Sequence, residues 1–254
     1  MRRVDLSLDA VPGEAALFAG LPAGFAAGFT LRGDRLDQLP AGVLGRRLAG
    51  FLGAPGAVVC RARQVHGATV LPVDGRPSDA SGVLLAGDGD ALVTRETGRL
   101  LVVSTADCVP LLLLDGASGW IAAVHAGWRG AAAGIAGAVL DALEARGGDP
   151  SRLLALFGPS ISRDSYEVGP EVVEALRRGQ GGALPEGAVA PGRGDRSLVD
   201  VALLVEATLL SRGVRAERIL RPSLCTLSDP LRFPSYRRDG ARAGRILTGV
   251  VRIA

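Results

Sequence analysis

Four short apolar runs follow one another through the middle of the chain. They are Leu100-Leu101-Val102-Val103, Leu111-Leu112-Leu113-Leu114, Trp120-Ile121-Ala122-Ala123-Val124 and Leu153-Leu154-Ala155-Leu156-Phe157. Each is too short for a buried helix. None alternates apolar with polar residues, as a strand with one wet face must. They read as strands covered on both faces, which occur inside layered proteins. Segments of helical character separate the later runs. The expectation is an α/β, single-domain layered fold over residues 1–254, with a mixed central sheet flanked by helices.

The rest of the chain fits that frame. A helix is expected over residues 130–145, stopped by Gly147-Gly148-Asp149-Pro150. Two more are expected over 171–178 and 198–211, with Ser197 as the cap of the second. Residues 179–195 are rich in glycine and proline and read as a surface loop. Residues 4–8 alternate like a strand, and residues 244–253 form a terminal one.

Composition removes several kinds of chemistry. All 29 basic residues are arginine, and asparagine is absent. A lysine Schiff base, a P-loop lysine and a Cys-His-Asn protease set are therefore excluded. The net charge is +3 with arginines scattered along the chain, so there is no basic stripe for nucleic acid. No apolar run approaches the ~20 residues of a membrane helix, and no signal pattern opens the chain. Cys60, Cys108 and Cys225 are too few to pair completely and read as reduced thiols of a cytoplasmic protein.

Imidazole is scarcer still. The two histidines are His66, in Gln64-Val65-His66-Gly67, and His125, in Val124-His125-Ala126-Gly127-Trp128-Arg129-Gly130. Cys108 lies between them in Thr105-Ala106-Asp107-Cys108-Val109-Pro110. Closed structural zinc sites use pairs of closely spaced ligands; three distant ones suit a catalytic metal with an open position. The same three residues would equally serve a Cys108 nucleophile with a histidine base, oriented by Asp107. Two buried histidines and an inert cysteine are the third reading.

Gly127, Arg129 and Gly130 lie where a strand yields to a helix, an arrangement that binds anions through backbone N–H groups and a guanidinium. A helix starting near Gly130 would turn its positive end toward that cleft. Arg237 and Arg238 are further phosphate candidates; on a strand they would point to opposite faces, so at most one reaches a given site. Gln64, two residues ahead of His66, joins the substrate-binding candidates. Gly87-Asp88-Gly89-Asp90 is too short for a calcium loop and reads as a link between strands. Phe29 and Tyr166 are candidates for stacking on a base.

Taken together, the segments resemble the YfiH-type, or laccase-domain, family. The resemblance rests on Gln64-Val65-His66-Gly67, Asp88-Gly89-Asp90-Ala91, Thr105 to Pro110, Val124 to Gly130, Gly158-Pro159-Ser160-Ile161, Tyr166-Glu167-Val168-Gly169 and Ser235-Tyr236-Arg237-Arg238-Asp239. Ser160 departs from the cysteine common there, and the segment after Asp239 is longer than the family's. The resemblance implies one α/β domain distantly like the cytotoxic necrotizing factor cysteine hydrolases. It places zinc on His66, Cys108 and His125, with copper possible in its place.

Two activities are attached to that family. One is copper-dependent polyphenol oxidation. The other is purine nucleoside phosphorolysis of adenosine, inosine and methylthioadenosine, with phosphate as co-substrate, free base and ribose 1-phosphate as products, and accompanying adenosine deamination. A laccase needs roughly ten imidazoles for its four coppers, and this chain has two. The nucleoside reading is therefore preferred, with Asp107 as the proton-transfer candidate. A laccase-like oxidoreductase, a hydrolase using Cys108 and a metal-holding scaffold stand as alternatives. The sequence leaves the oligomeric state open.

Overall fold

A computed structural model describes residues 7–11, 15–32 and 40–254. In chain order they form β1 (Ser7–Val11), β2 (Ala15–Ala19), β3 (Phe25–Thr30), α1 (Ala41–Phe51), β4 (Val58–Arg63), β5 (Val70–Pro72), β6 (Val83–Asp88), β7 (Ala91–Thr94), β8 (Arg99–Thr105), β9 (Val109–Leu114) and β10 (Ile121–Ala126). Then follow α2 (Trp128–Ala132), α3 (Ile135–Glu144), β11 (Leu154–Phe157), β12 (Glu167–Val168), α4 (Pro170–Gly179), β13 (Val189–Pro191), β14 (Ser197–Val199), α5 (Val201–Ser211), β15 (Ile219–Leu220), α6 (Tyr236–Asp239) and β16 (Ile246–Arg252).

The four apolar runs are strands β8 to β11, and both faces of each are buried for a reason the alternation of their side chains makes plain. Leu101 and Val103 of β8 pack against Leu112 and Leu114 of β9 and Ile121 and Ala123 of β10. Leu100 and Val102, pointing the other way, pack under Leu44 and Leu48 of α1. Leu111, Leu113, Ala122 and Val124 meet Ile135, Val139 and Leu140 of α3 and Leu204 of α5. The expected sheet layer is thus double. A seven-stranded sheet, ordered β1-β2-β3-β16-β8-β4-β6, lies face to face with a six-stranded one, ordered β15-β11-β9-β10-β7-β5. Helix α1 covers the first and the remaining long helices cover the second. Both sheets are mixed: β4 runs parallel to β6 and β8, and β5 parallel to β7, among otherwise largely antiparallel pairs.

Three local expectations change. The helix expected over 130–145 is two helices, α2 and α3, because Gly134 takes a left-handed conformation (φ 81°) that ends one and starts the other. Helix α2 also begins earlier, at Trp128, and is five residues long, so the long dipole expected at the cleft is not there. The helix expected from Leu198 begins at Val201. Its cap is Asp200, whose carboxylate accepts from Leu203 N at 2.8 Å, while Ser197 lies in β14, paired with β12 and β13. Strand β13 in turn interrupts the loop expected over 179–195. The terminal strand is β16, and the strand expected over 4–8 falls partly outside the described residues.

Candidate metal centre

Three times the chain leaves the seven-stranded sheet for the six-stranded one: after β4, after β6 and after β8. The three crossings converge at one end of the sandwich. The first carries His66, the second Asp90 and the third Asp107 and Cys108. His125 is the penultimate residue of β10, opposite Pro110 of β9, and its N–H donates to Asp90 O at 2.7 Å.

The crossings bring the three expected ligands together. One ligand atom from each of His66, Cys108 and His125 lies within 4.8 Å of the others. The imidazole rings meet edge to face, 4.8 Å between centroids. His125 is buried, Cys108 half-buried and His66 exposed, so the group opens to solvent on the His66 side. His66 (φ 61°) and Asp107 (φ 89°) are the non-glycine residues with positive φ among the described ones. Such conformations cost on the order of 1–3 kcal/mol each and persist only where surroundings enforce them.

Asp90 is the enforcing group at His66. Its buried carboxylate accepts from His66 N at 2.9 Å, Gly67 N at 2.7 Å and Val65 N at 3.3 Å. It also lies 2.8 Å from His125 Nδ1. Burial works against its ionisation, but the bonds from His125 and from the Gly67 and His66 N–H groups outweigh it and hold the carboxyl below its usual range. An ionised acceptor at Nδ1 requires the proton there, which leaves Nε2 of His125 as the free donor atom. Asp107 is held by other bonds: Thr226 Oγ1 donates to its Oδ1 at 2.5 Å, Arg237 N to its Oδ2 at 2.6 Å, and its own O accepts from Ile161 N at 2.9 Å. It does not orient a histidine; Asp90 does. Spacing hid this, since Asp88 and Asp90 look alike in the sequence. Asp88 pairs with Arg63 at the surface, while Asp90 is 1 % exposed.

Without a metal the electrostatics favour an ionised thiol beside a charged imidazole, which suits a nucleophile; a metal would displace the proton from the Nε2 of His125. Burial opposes ionisation of Cys108, yet hydrogen bonds and charge from His125 and His66 bring its pKa down to about 7. Burial likewise opposes charge on His125, and the bonds to Asp90 and Cys108 overcome it, raising the pKa to about 9.

The two motif glycines serve close approach. Gly127 has ordinary dihedrals, but a Cβ there would sit 3.0 Å from Cys108 Sγ and 3.1 Å from His66 Cδ2. A Cβ on Gly130 would meet Gly67 O at 3.0 Å. Gln64 is also structural in its contacts. Its Nε2 donates to Ser104 O and its Oε1 accepts from Ser104 N, both at 2.8 Å, which pins the His66 loop to β8.

A cavity beside the ligands is lined by Cys108, Gly127, Trp128, Ile161, Tyr166 and Val201. Its volume is about 40 Å³. Arg129 is exposed, stacks 4.3 Å over Trp128, and has no carboxylate within ion-pair reach among the described residues. Arg237 stacks 4.9 Å over Tyr166 and donates to Glu167 O at 2.9 Å. Arg238 shares the one-turn helix α6 and diverges. It pairs with Asp239 and donates to Thr226 O, Leu227 O and Phe233 O, which ties down the loop and leaves Arg237 as the one of the pair that reaches Tyr166. Phe29 packs between Phe18 and Phe233 in the core, away from any ligand.

The sequence matches a known family. A profile of the multi-copper polyphenol oxidoreductase laccase family matches residues 40–253, and the chain belongs to that family. It is 38 % identical over 194 residues to "Adenosine deaminase RL5" of an unknown prokaryotic organism, covering 75 % of this chain and 73 % of that protein. It is 40 % identical over 205 residues to a purine nucleoside phosphorylase of Xylella fastidiosa, covering 80 % and 75 %. The crystal structure of YlmD from Geobacillus stearothermophilus superposes with a TM-score of 0.85 at 29 % identity, over 97 % of this chain and 99 % of that one. Two nucleoside enzymes thus stand beside a family description that says copper oxidase.

Proposed function

We propose that the chain is a zinc-dependent purine nucleoside phosphorylase with adenosine deaminase activity. The reading is supported by the names of the relatives and by one observation above all: two imidazoles and a thiol meet at an open, solvent-reaching position with a carboxylate behind one imidazole. The residues fit a metal. Bonds of ~2.0–2.3 Å in a tetrahedron place ligand atoms roughly 3.3–3.8 Å apart, a small contraction from the separation seen. A soft nitrogen–sulfur set suits zinc or a single copper; four coppers lack ligands, because the chain has no histidine beyond these two.

When bound, zinc supplies Lewis acidity to a substrate oxygen or to water. The chain's own groups do the rest. Asp90 fixes the tautomer of His125 and the loop of His66. Trp128 and Tyr166 offer aromatic faces to a purine, and Arg129 and Arg237 offer guanidinium forks to phosphate. In phosphorolysis a phosphate oxygen attacks the ribose C1′, the bond from C1′ to the base nitrogen breaks, and the base takes a proton from solvent. Asp107 borders the cavity beside Cys108; its carboxylate holds Thr226 and Arg237 N with one bond to each oxygen and keeps lone pairs for the proton transfer expected from sequence.

A second reading has one observation of its own. Cys108, His125 and Asp90 form a thiol–imidazole–carboxylate series of the kind that activates a nucleophile. One experiment separates them. Protein purified without added metal is analysed for zinc and copper, then stripped, and products are measured from adenosine with and without phosphate. The expected result is adenine plus ribose 1-phosphate with phosphate, some inosine without it, and loss of both on stripping. Cys108→Ala lowers metal content, whereas Cys60→Ala does not. Activity that persists in stripped protein favours the nucleophile; no base or inosine from any purine nucleoside ends the proposal.

A further inference from the structure

A second cavity, of about 580 Å³, adjoins the one beside the metal ligands. Its charged groups are paired locally, Arg163 with Asp164 and Arg221 with Asp200 and Glu206, so it offers room rather than charge recognition. Ile161 is the one residue that lines both cavities, and it is 6 % exposed. The wall is equally thin at the start of α5, where Val201 lines the metal-side cavity and its neighbours Asp200 and Ala202 line the other.

The partition at Ile161 is fixed in place. Ile161 N donates to Asp107 O at 2.9 Å, and Asp107 is itself held by Thr226 Oγ1 and Arg237 N. One residue earlier, Ser160 bridges to Cys225, with Ser160 N donating to Leu224 O at 3.2 Å and Thr226 N to Ser160 O at 3.0 Å. The isoleucine side chain is branched at Cβ and stiff about its first torsion. The backbone cannot withdraw and the side chain cannot swing aside, so side-chain size decides how the two spaces are divided. The metal-side cavity, at about 40 Å³, is far below the ~300–1,000 Å³ of a site that encloses a whole small molecule. It takes one part of a nucleoside, and any group that lengthens that part meets Ile161.

We propose that Ile161 limits the size of the nucleoside accepted beside the metal centre, by closing the metal-side cavity against its larger neighbour. The proposal rests on the nucleoside reading of that centre. Ile161 works by exclusion: adenosine stays within the limit, and an adenosine with an aryl group added at the end facing Ile161 does not. Alanine at this position removes three carbons and joins the two spaces. The added group then enters the larger cavity, where Phe157, Ala202, Leu203 and Leu224 offer apolar contacts.

The test compares adenosine, N6-benzyladenosine and 5′-benzylthio-5′-deoxyadenosine in the wild type and in Ile161→Ala. It reads kcat/KM for phosphorolysis by zinc-loaded protein and calorimetric affinity for stripped protein. One benzyl compound, whichever carries its group toward Ile161, should improve relative to adenosine on the order of 10–200-fold in the variant, the discrimination that a single methylene of room gives in an apolar pocket. Its relative affinity should rise as well. Leu203→Ala widens the second cavity without touching the partition, and should leave both ratios at the wild-type value. Should Ile161→Ala fold poorly, Ile161→Val takes away one methyl and should give a smaller gain in the same direction. Ratios that stay unchanged for both benzyl compounds, or that Leu203→Ala raises as much, would overturn the inference and leave the nucleoside reading intact. A wild type that releases no base from adenosine itself ends that reading, and the inference with it.

Discussion

Asp90→Asn is the sharpest probe of how the metal centre is held. The carboxylate is buried and takes four N–H groups, of His125, His66, Gly67 and Val65. An asparagine has one acceptor oxygen and one NH₂. With its oxygen at the Oδ1 position it keeps His66 and His125 and turns a donor onto Gly67 and Val65. Flipped, it keeps Gly67 and Val65 and orphans the other two. Either way two buried donors lose their acceptor, at ~1–3 kcal/mol each. The expected loss is therefore about 2–6 kcal/mol, or roughly 4–24 °C in Tm for a chain of this size.

Removing a carboxylate behind a ligating histidine also weakens metal binding by about 10–100-fold. Calorimetry of stripped and zinc-saturated protein, with a competitive zinc titration, reads both quantities. The pH dependence has a definite sign. The folded carboxyl is held below its unfolded value, so its contribution is full above ~pH 4 and fades as pH falls below that. The wild type should lose its advantage over the variant only in acid. A variant that melts within about 1 °C of the wild type and binds zinc equally well would refute the assignment of Asp90 as the organising acceptor.

Two further outcomes are expected. Gly127→Ala puts a methyl 3.0 Å from Cys108 Sγ and 3.1 Å from His66 Cδ2; metal content should fall sharply in plasma emission analysis, while stability drops by only about 1–3 kcal/mol, and full zinc occupancy would contradict the close-approach argument. Arg129→Ala should raise the KM for phosphate several-fold and leave Tm within about 1 °C, since an exposed arginine adds little stability; superimposable phosphate saturation curves would remove Arg129 from the site.

Much of this protein can be read along the chain, because the relevant physics is local. Runs such as Leu111 to Leu114 cannot sit on a wet face, so they declare buried strands. Glycine motifs beside the scarce histidines and Cys108 mark where strands end and reactive groups gather. Burial on both faces, however, does not say what covers each face. Leu112 meets another sheet and Leu113 meets helices, and only tertiary packing distinguishes them. The same holds for the site. Asp90 and Asp88 share a turn, yet one is sealed against His125 and the other is at the surface with Arg63. Arg237 and Arg238 are adjacent, yet one reaches Tyr166 and the other ties down the loop around Thr226. Such contacts join residues far apart in sequence, so their partners exist only once the chain has crossed between its two sheets.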